Sequence, residues 1–566
     1  MADLRYSLLD HHFASFLAHR SGLVGERKER FEQLLQDLSA SLGAGHSCLE
    51  VKREEERLLE QSPLVARSTR SVPSAPLVLF AGRLYLHRYF CYEVGLAWRI
   101  KEMGDQCHPV QGGDVLLETW FPTLDDGVDH QRLGAGTSLE RSFSIISGGP
   151  GTGKTSTVIK IIILLLTVLG PEMKIALAAP TGKAAMRLRQ SMNENREKLS
   201  VASEIKQAIP TEALTLHRLL GVKRFSPSFR HHRHNPLAYD VVIVDEASMV
   251  DLALMAKLVD GLKPGSRLIL LGDKDQLASV ESGSVLTDLM AGLPDNTTVL
   301  SKTYRFNRTI KKLADHINGG RARSAWSLLV TEEQTEAVVI PLAASVAIMG
   351  SQYEAYMAAA TGFREGDKLG PLFERFLAFR VLCGVRRGEA GVEAVNRGVE
   401  RYLTARGYDC SSEPFYPGRP VMVTQNDYTL QLYNGDIGLC LSGRDGRVKV
   451  WFERSDGTIT GYLPHRLGRC ETVFAMSIHK SQGSEFNEVM VLLPRQDNRV
   501  LTRELLYTAV TRARKKVTIV ADQEIFALAV SRQVRRASGL KTMLLDEKFV
   551  TRNDLYEKER AEHGHP

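Results

Sequence analysis

Phe143-Ser144-Ile145-Ile146-Ser147-Gly148-Gly149-Pro150-Gly151-Thr152-Gly153-Lys154-Thr155-Ser156 is the stretch on which the reading of this chain turns. A short apolar run, a glycine-rich turn and an apolar stretch opening at Lys154 read as strand, loop and helix. The turn fits GxxxxGK[ST], which makes Gly148, Gly149, Pro150, Gly151, Thr152, Gly153, Lys154, Thr155 and Ser156 candidates to hold ATP. Glycines let the backbone wrap a triphosphate with successive N–H groups turned inward, and the helix N-terminus adds a favourable field. Lys154 is the catalytic candidate that reaches the β/γ-phosphates, and the Thr155 hydroxyl is a candidate Mg2+ ligand. A glycine-rich turn before an ordinary helix is the plainer alternative, and the strand immediately upstream makes it the weaker one.

Outward from this loop, Ile175–Ala179, Val241–Val244 and Leu268–Leu271 are continuous apolar runs, each followed by a turn and a helical pattern. Strands without alternation are buried on both faces, the mark of a parallel sheet in an α/β fold. The same texture at Val489–Leu493 and Val517–Val520 predicts a second α/β domain. Val241–Val244 ends in Asp245-Glu246, and acids at the C-terminal edge of a parallel sheet face the ligand crevice. Asp245 is the second candidate Mg2+ ligand, and Glu246 is the candidate base that orients and deprotonates a water.

The expected organisation is a mainly helical partner-docking domain over 1–110 and an ATP-binding α/β domain over 111–330 with a short hairpin at 222–236. A connecting segment at 331–370, a second α/β domain at 371–535 and a tail at 536–566 complete it. Turn dipeptides between alternating strands place a small antiparallel β-barrel at about 428–473 inside the second α/β domain.

With 566 residues the chain is long enough for several domains. At 43% hydrophobic and 25% charged residues, with a mean hydropathy of −0.16, it is neither disordered nor a membrane channel. The longest apolar run, Ile161–Leu169, is too short to span a bilayer. Seven cysteines without a CxxC pair argue for reduced thiols in the cytoplasm and against a zinc or iron–sulfur site. A net charge of +7 permits a polyanionic partner without identifying one.

From about Gln131 to Ala521 the chain resembles superfamily 1 DNA helicases, and most of all the RecD subunits of bacterial RecBCD helicase–nucleases. The resemblance is carried by SGGPGTGKTST, AAPTGKAA, TLHRLLG, VIVDEASMVD, LLGDKDQLASVESG, TYRFN, YNGDIG, SIHKSQGSEF and YTAVTRAR, in that order. It implies two RecA-like motor domains driven by ATP and Mg2+, with Gln276 coupling hydrolysis to DNA grip. It further implies that Tyr304 stacks on adenine and that Arg305 and Arg512 are arginine fingers, whose guanidinium groups spread charge over a transferring phosphoryl. Gln131 stands where such helicases read adenine, although Gly134 and Gly136 weaken the helix expected there. Glu485 matches an acid that contacts the ribose.

For DNA the candidates are Pro180, Thr181 and Lys183 at one sheet edge and His479, Lys480, Ser481 and Gln482 at the other, with Asn434 in the inserted barrel, where Asn426 and Asp436 are weaker additions. Short polar side chains and exposed backbone N–H groups hold phosphates without reading bases. The basic segment from Val222 to His234 is open to three readings: a hairpin at the strand-separation point, a metal site from His231, His232 and His234, or a solvated basic turn.

The resemblance implies a 5′→3′ DNA helicase acting on single-stranded and on tailed or blunt duplex DNA, with RecB-like and RecC-like subunits in a heterotrimer. It implies recombinational repair in a bacterial cytoplasm, at the nucleoid, with no membrane partner. No cluster of acids with a Lys at metal-site spacing points to a nuclease centre in this chain. A free-standing helicase and a DNA-stimulated regulatory ATPase are the alternatives. ATPase stimulation by single-stranded DNA separates a helicase from the second.

Overall fold

Six parallel strands form the first sheet in the order Thr297–Leu300, Phe143–Gly148, Arg267–Gly272, Val241–Val244, Ile175–Ala179, Ala213–Thr215. The four central strands are buried along their whole length in this computed structural model, as uninterrupted apolar runs require. The structure describes residues 6–546 except 68–74, 111, 123–128, 224–225, 280, 303–306, 332–335, 365, 411–412, 428, 444–445 and 455–456. Tyr304 and Arg305 lie outside the described residues.

Helix Lys154–Leu169 covers one face of this sheet. Every residue from Ile161 to Leu166 is buried, so the helix is enclosed on all sides rather than along a stripe. Each of these side chains contributes about 1.5–3 kcal/mol by leaving water. On the other face, helix His87–Asp105 packs on helix Leu252–Asp260 and shares a core with Phe143, Ile145, Val242 and Val244. Residues 87–105, expected within the docking unit of 1–110, are thus part of the core beneath the first sheet. The preceding residues pair helices Leu8–Ala18 and Glu26–Gly43 with a four-stranded sheet, Leu49–Glu50, Arg83–Leu86, Leu77–Phe80, Val65–Arg67. Its hairpin turns at Ala81 and Gly82, both with positive φ.

The second sheet is also parallel, in the order Ala337–Ile340, Ala513–Val520, Phe486–Leu492, Phe379–Cys383, Ala475–Ser477. Here the expectation of a connecting segment at 331–370 is corrected. Ala337–Ile340 is an edge strand of this sheet, and helix Leu342–Thr361 buries Tyr353 and Tyr356 in its core. A four-residue strand ending at Ile340, just before Pro341, followed by a helix in which many alanines blur the apolar stripe, leaves little periodicity to read.

Antiparallel strands Ile459–Tyr462, Val448–Glu453, Ile437–Ser442, Pro420–Val423 and Cys470–Thr472 make the inserted sheet, which begins at Pro420, upstream of the expected position. It curves over its own core of Val421, Leu432, Cys440, Val450 and Phe452, and no ladder joins its two edges among the described residues. After the second sheet the chain returns to the first lobe. Helix Leu540–Leu545 buries Leu540, Met543 and Leu544 against helices Val285–Gly292 and His87–Asp105, so the first part of the expected tail is packed structure. No described helix is long and apolar enough to cross a membrane.

Candidate functional site

Parallel strands bring their C-terminal ends together, and here that places Gly148, Asp245 and Asp273 along one edge of the first sheet. The glycine-rich loop turns through Gly151 and Gly153, whose φ angles of 77° and 85° favour residues without Cβ. Thr152 Oγ1 donates to the Gly149 carbonyl at 2.8 Å and fixes the turn. The Lys154 ammonium donates to the carbonyls of Gly148 and Gly149, the latter at 3.1 Å. Thr155 and Ser156 follow in the first turn of helix Lys154–Leu169.

Gln131 reaches the same loop, its Nε2 donating to the Thr152 carbonyl at 3.1 Å. The helix that carries it, His130–Glu140, forms despite Gly134 and Gly136. Asp129 caps its N-terminus, and Gly134 lies flat against Ile146 and Thr298, so packing supplies what propensity lacks.

Asp245 sits where burial and the Glu246 carboxylate push its pKa up to about 6, against the pull of Lys154. Glu246 has a φ of 53°, a left-handed turn that follows the end of the strand. Across the cleft lies helix Arg503–Val510 of the second lobe, with a cavity of about 160 Å³ lined by the glycine-rich loop, Asp273, Asp275, Lys311, Tyr507 and Thr511.

Arg512 is almost wholly buried and fully engaged. It donates from Nε to the Thr508 carbonyl at 3.1 Å, from Nη1 to the Ser484 carbonyl at 3.1 Å and from Nη2 to Gln276 Oε1 at 2.9 Å. Gln276 Nε2 donates in turn to Asp273 Oδ2 at 3.0 Å, and the Tyr507 hydroxyl donates to the same oxygen at 3.1 Å. The lobes are stitched again at Leu277, whose N–H donates to Thr508 Oγ1 and whose carbonyl accepts from Gln482 Nε2, both at 2.9 Å.

The nucleic-acid candidates separate into two groups. Pro180 and Thr181 end a strand, and Thr181 caps helix Gly182–Glu197. At Gly182 the chain meets Tyr433, while Gly483 lies against Ala184, so the turns of both lobes and the inserted sheet come together here. Lys183 keeps some solvent access, yet desolvation and the nearby Arg380 and Arg187 push its pKa down to about 7, opposed by Asp436. The Asn434 N–H donates to Asn426 Oδ1 at 2.9 Å on an exposed turn. Lys480 is paired with Glu471 at 3.1 Å.

Ser481 and Gln482 face the interior, which corrects their expected place on a DNA surface. Ser481 is fully buried with its hydroxyl on the Ile478 carbonyl, and Gln482 is used across the lobe interface. His479 lines a second cavity of about 220 Å³ with Ser248, Gln276, Glu504 and Arg536, and burial holds its pKa below the ordinary value.

Glu485 is clamped between arginines. Arg514 donates to it from Nε at 2.9 Å and from Nη2 at 2.7 Å, and Arg187 of the first lobe approaches at 3.3 Å. Among the described residues the basic segment carries antiparallel bridges between Val222 and Phe229 and between His232 and Asn235. Phe229 packs edge-on to His217, with Lys257 over its ring. No group of three metal-ligating residues occurs among the described residues.

Sequence reading passed over Asp273, Arg187, Tyr507 and Thr508, although Asp273 and Tyr507 stand inside LLGDKDQ and YTAVTRAR. Their roles rest on contacts between remote segments that no local pattern encodes.

Two family models match this chain, one described as an AAA domain over residues 131–282 and one as a UvrD-like helicase C-terminal domain over 472–520. The RecBCD enzyme subunit RecD of Mycolicibacterium smegmatis is 42% identical over 489 residues, covering 83% of each chain. The chain belongs to the RecD family. A Mycobacterium tuberculosis RecD is 39% identical over 544 residues and 92% of each chain. The ATP-dependent RecD2 DNA helicase of Deinococcus radiodurans is 32% identical over 80% of this chain and 57% of its own. In this RecD-family chain one matched stretch carries Lys154, Asp245, Glu246 and Gln276, and the other carries His479, Glu485 and Arg512.

Proposed function

We propose that this RecD-family chain is an ATP-dependent DNA helicase motor travelling 5′→3′, one subunit of a RecBCD-type helicase–nuclease that acts at double-strand DNA ends in the bacterial cytoplasm. One observation carries the reading: Arg512 of the second lobe meets Gln276 of the first, 2.9 Å apart, beside the glycine-rich loop and the acid pair. An arginine delivered to an ATP site from a separate lobe ties hydrolysis to the relative position of the lobes.

ATP would lie in the glycine-rich loop, with Lys154 on its terminal phosphates and Gln131 beside the loop. Glu246 would orient and deprotonate the attacking water, and Arg512 would carry charge in the transition state. Thr155, in the first turn of helix Lys154–Leu169, and Asp245, at the end of strand Val241–Val244, both offer oxygen donors, which fits a hard divalent cation such as Mg2+. Mg2+ supplies neutralisation of the phosphate charge there. Single-stranded DNA would run where Pro180, Thr181, Lys183 and Asn434 converge.

The test uses the purified chain alone and co-expressed with RecB-like and RecC-like subunits. Expected are ATPase activity strongly stimulated by single-stranded DNA, unwinding of 5′-tailed but not 3′-tailed duplexes, and recovery as a heterotrimer. Full ATPase without DNA stimulation would refute the motor, and preference for 3′ tails would refute the polarity.

A further inference from the structure

Tyr507 belongs to the second lobe, yet its hydroxyl reaches the first. The ring is buried, and a Cβ placed on Gly149 of the glycine-rich loop would lie only 2.9 Å from the hydroxyl oxygen. The hydroxyl donates to Asp273 Oδ2, the oxygen that also receives Gln276 Nε2. Asp273 Oδ1 is engaged by the N–H of Asp275 at 3.0 Å. Tyr507, Asp273, Gln276 and Arg512 thus form one chain of hydrogen bonds from the glycine-rich loop to the buried arginine.

The chemistry of that chain has a single direction. A carboxylate only accepts, so Gln276 must turn its NH2 toward Asp273 and its oxygen toward Arg512. An inverted amide would set its NH2 against the guanidinium donors and its oxygen against the Asp273 carboxylate, two acceptors with no hydrogen between them. The orientation of Gln276 therefore depends on Asp273 staying ionised and in place. Burial raises the Asp273 pKa, and Lys154 and the Asp275 N–H oppose that. Tyr507 is the donor from the opposite lobe that fixes the carboxylate's position. Burial and the neighbouring Asp273 and Asp275 carboxylates keep the phenol pKa well above 10, so Tyr507 is a donor at every working pH.

We infer that Tyr507 is a positioning residue for ATP hydrolysis: its hydroxyl fixes Asp273, and through it the side chain of Gln276 that presents an acceptor to Arg512. The inference rests on the motor reading above and adds to it a group that senses the glycine-rich loop from the second lobe. Removing the hydroxyl leaves a buried carboxylate one donor short and releases the amide. The effect falls on the turnover step, since no binding contact to base or sugar is involved.

The test is steady-state ATPase of the full chain with saturating single-stranded DNA, comparing wild type, Tyr507→Phe, Gln276→Ala and the double variant. Tyr507→Phe keeps the ring and its packing. The expected result is a kcat lower by about tenfold or more with KM for ATP within about twofold. In the Gln276→Ala background the Tyr507→Phe change should have no further effect, because the residue it acts through is gone. Independent, multiplying losses would overturn the inference, as would a raised KM at unchanged kcat. A wild-type chain without DNA-stimulated ATPase would overturn the motor reading and this inference with it. Wild-type stimulation alongside an unaffected Tyr507→Phe would overturn this inference alone.

Discussion

Arg512 Nη2 and Gln276 Oε1 lie 2.9 Å apart although 236 positions separate the two residues in the chain. The guanidinium has three neutral oxygens as partners, spread in the plane that its fork requires. Arg512→Lys keeps the charge and cannot span all three. It should lower DNA-stimulated kcat by roughly a hundredfold or more, toward the range of lost arginine fingers, with KM for ATP little changed. Steady-state kinetics checks this, and a variant affecting KM alone would contradict it.

Lys154 and Glu246 make different contributions and should fail differently. Lys154→Ala removes the charge from the loop and should abolish both nucleotide binding and hydrolysis. Glu246→Gln preserves shape without a base and should retain binding while losing turnover by roughly 10²- to 10⁴-fold. Titration with a fluorescent ATP analogue, run beside the ATPase assay, distinguishes the two.

If single-stranded DNA runs past Lys183 as proposed, its binding should depend on pH. With its pKa pushed down to about 7, it is charged below that value and largely neutral above it. A phosphate prefers the charged form, so binding takes up a proton and weakens as pH rises from 6 to 8, by at most about tenfold per pH unit for one group. Lys183→Arg stays protonated and should flatten the profile. Anisotropy of a labelled oligonucleotide across this range measures it.

Glu93 joins three parts of the chain. Its Oε2 accepts from the Tyr85 hydroxyl at 3.1 Å and the Gly539 N–H at 2.9 Å, and its Oε1 accepts from the hydroxyls of Ser47 and Ser538. Complete burial raises its pKa, despite all four donors. The folded value lies above the unfolded one, so this group favours folding most at acid pH and less as pH rises through the folded value. Glu93→Gln can keep every bond, with its oxygen on the fixed donors and its NH2 on serine hydroxyls that rotate to accept. It should therefore change stability by no more than about 1 kcal/mol and remove that pH dependence, whereas Glu93→Leu strands the Gly539 and Tyr85 donors and should cost about 2–5 kcal/mol. Urea denaturation in a pH series rising from about 4.3, the ordinary glutamate value, tests both.

Much of the nucleotide site was legible because it is contiguous. A buried strand, a loop that needs positive φ at Gly151 and Gly153, and a helix N-terminus are all local demands, written in fourteen neighbouring residues. Asp245-Glu246 was legible for the same reason, as the end of an unbroken apolar run. The candidate DNA contacts were read less well. Ser481 and Gln482 share a motif with His479 and Lys480, but a short 3-10 turn sends successive side chains to different sides, so neighbours in sequence part company in space.

Sequence by itself determined the two parallel α/β sheets, the glycine-rich loop and the acid pair, because backbone conformation and apolar runs are set within a few residues. Tertiary structure alone decided that Tyr507 and Gln276 share Asp273, that Arg187 and Arg514 hold Glu485 between the lobes, and that residues 87–105 and 540–545 pack together beneath the first sheet. The contacts of Tyr507 with Asp273 and of Arg187 with Glu485 join segments more than two hundred residues apart. They are selected by shape and by hydrogen-bond direction once the lobes meet, and nothing in the local chain specifies which remote donor a buried carboxylate will find.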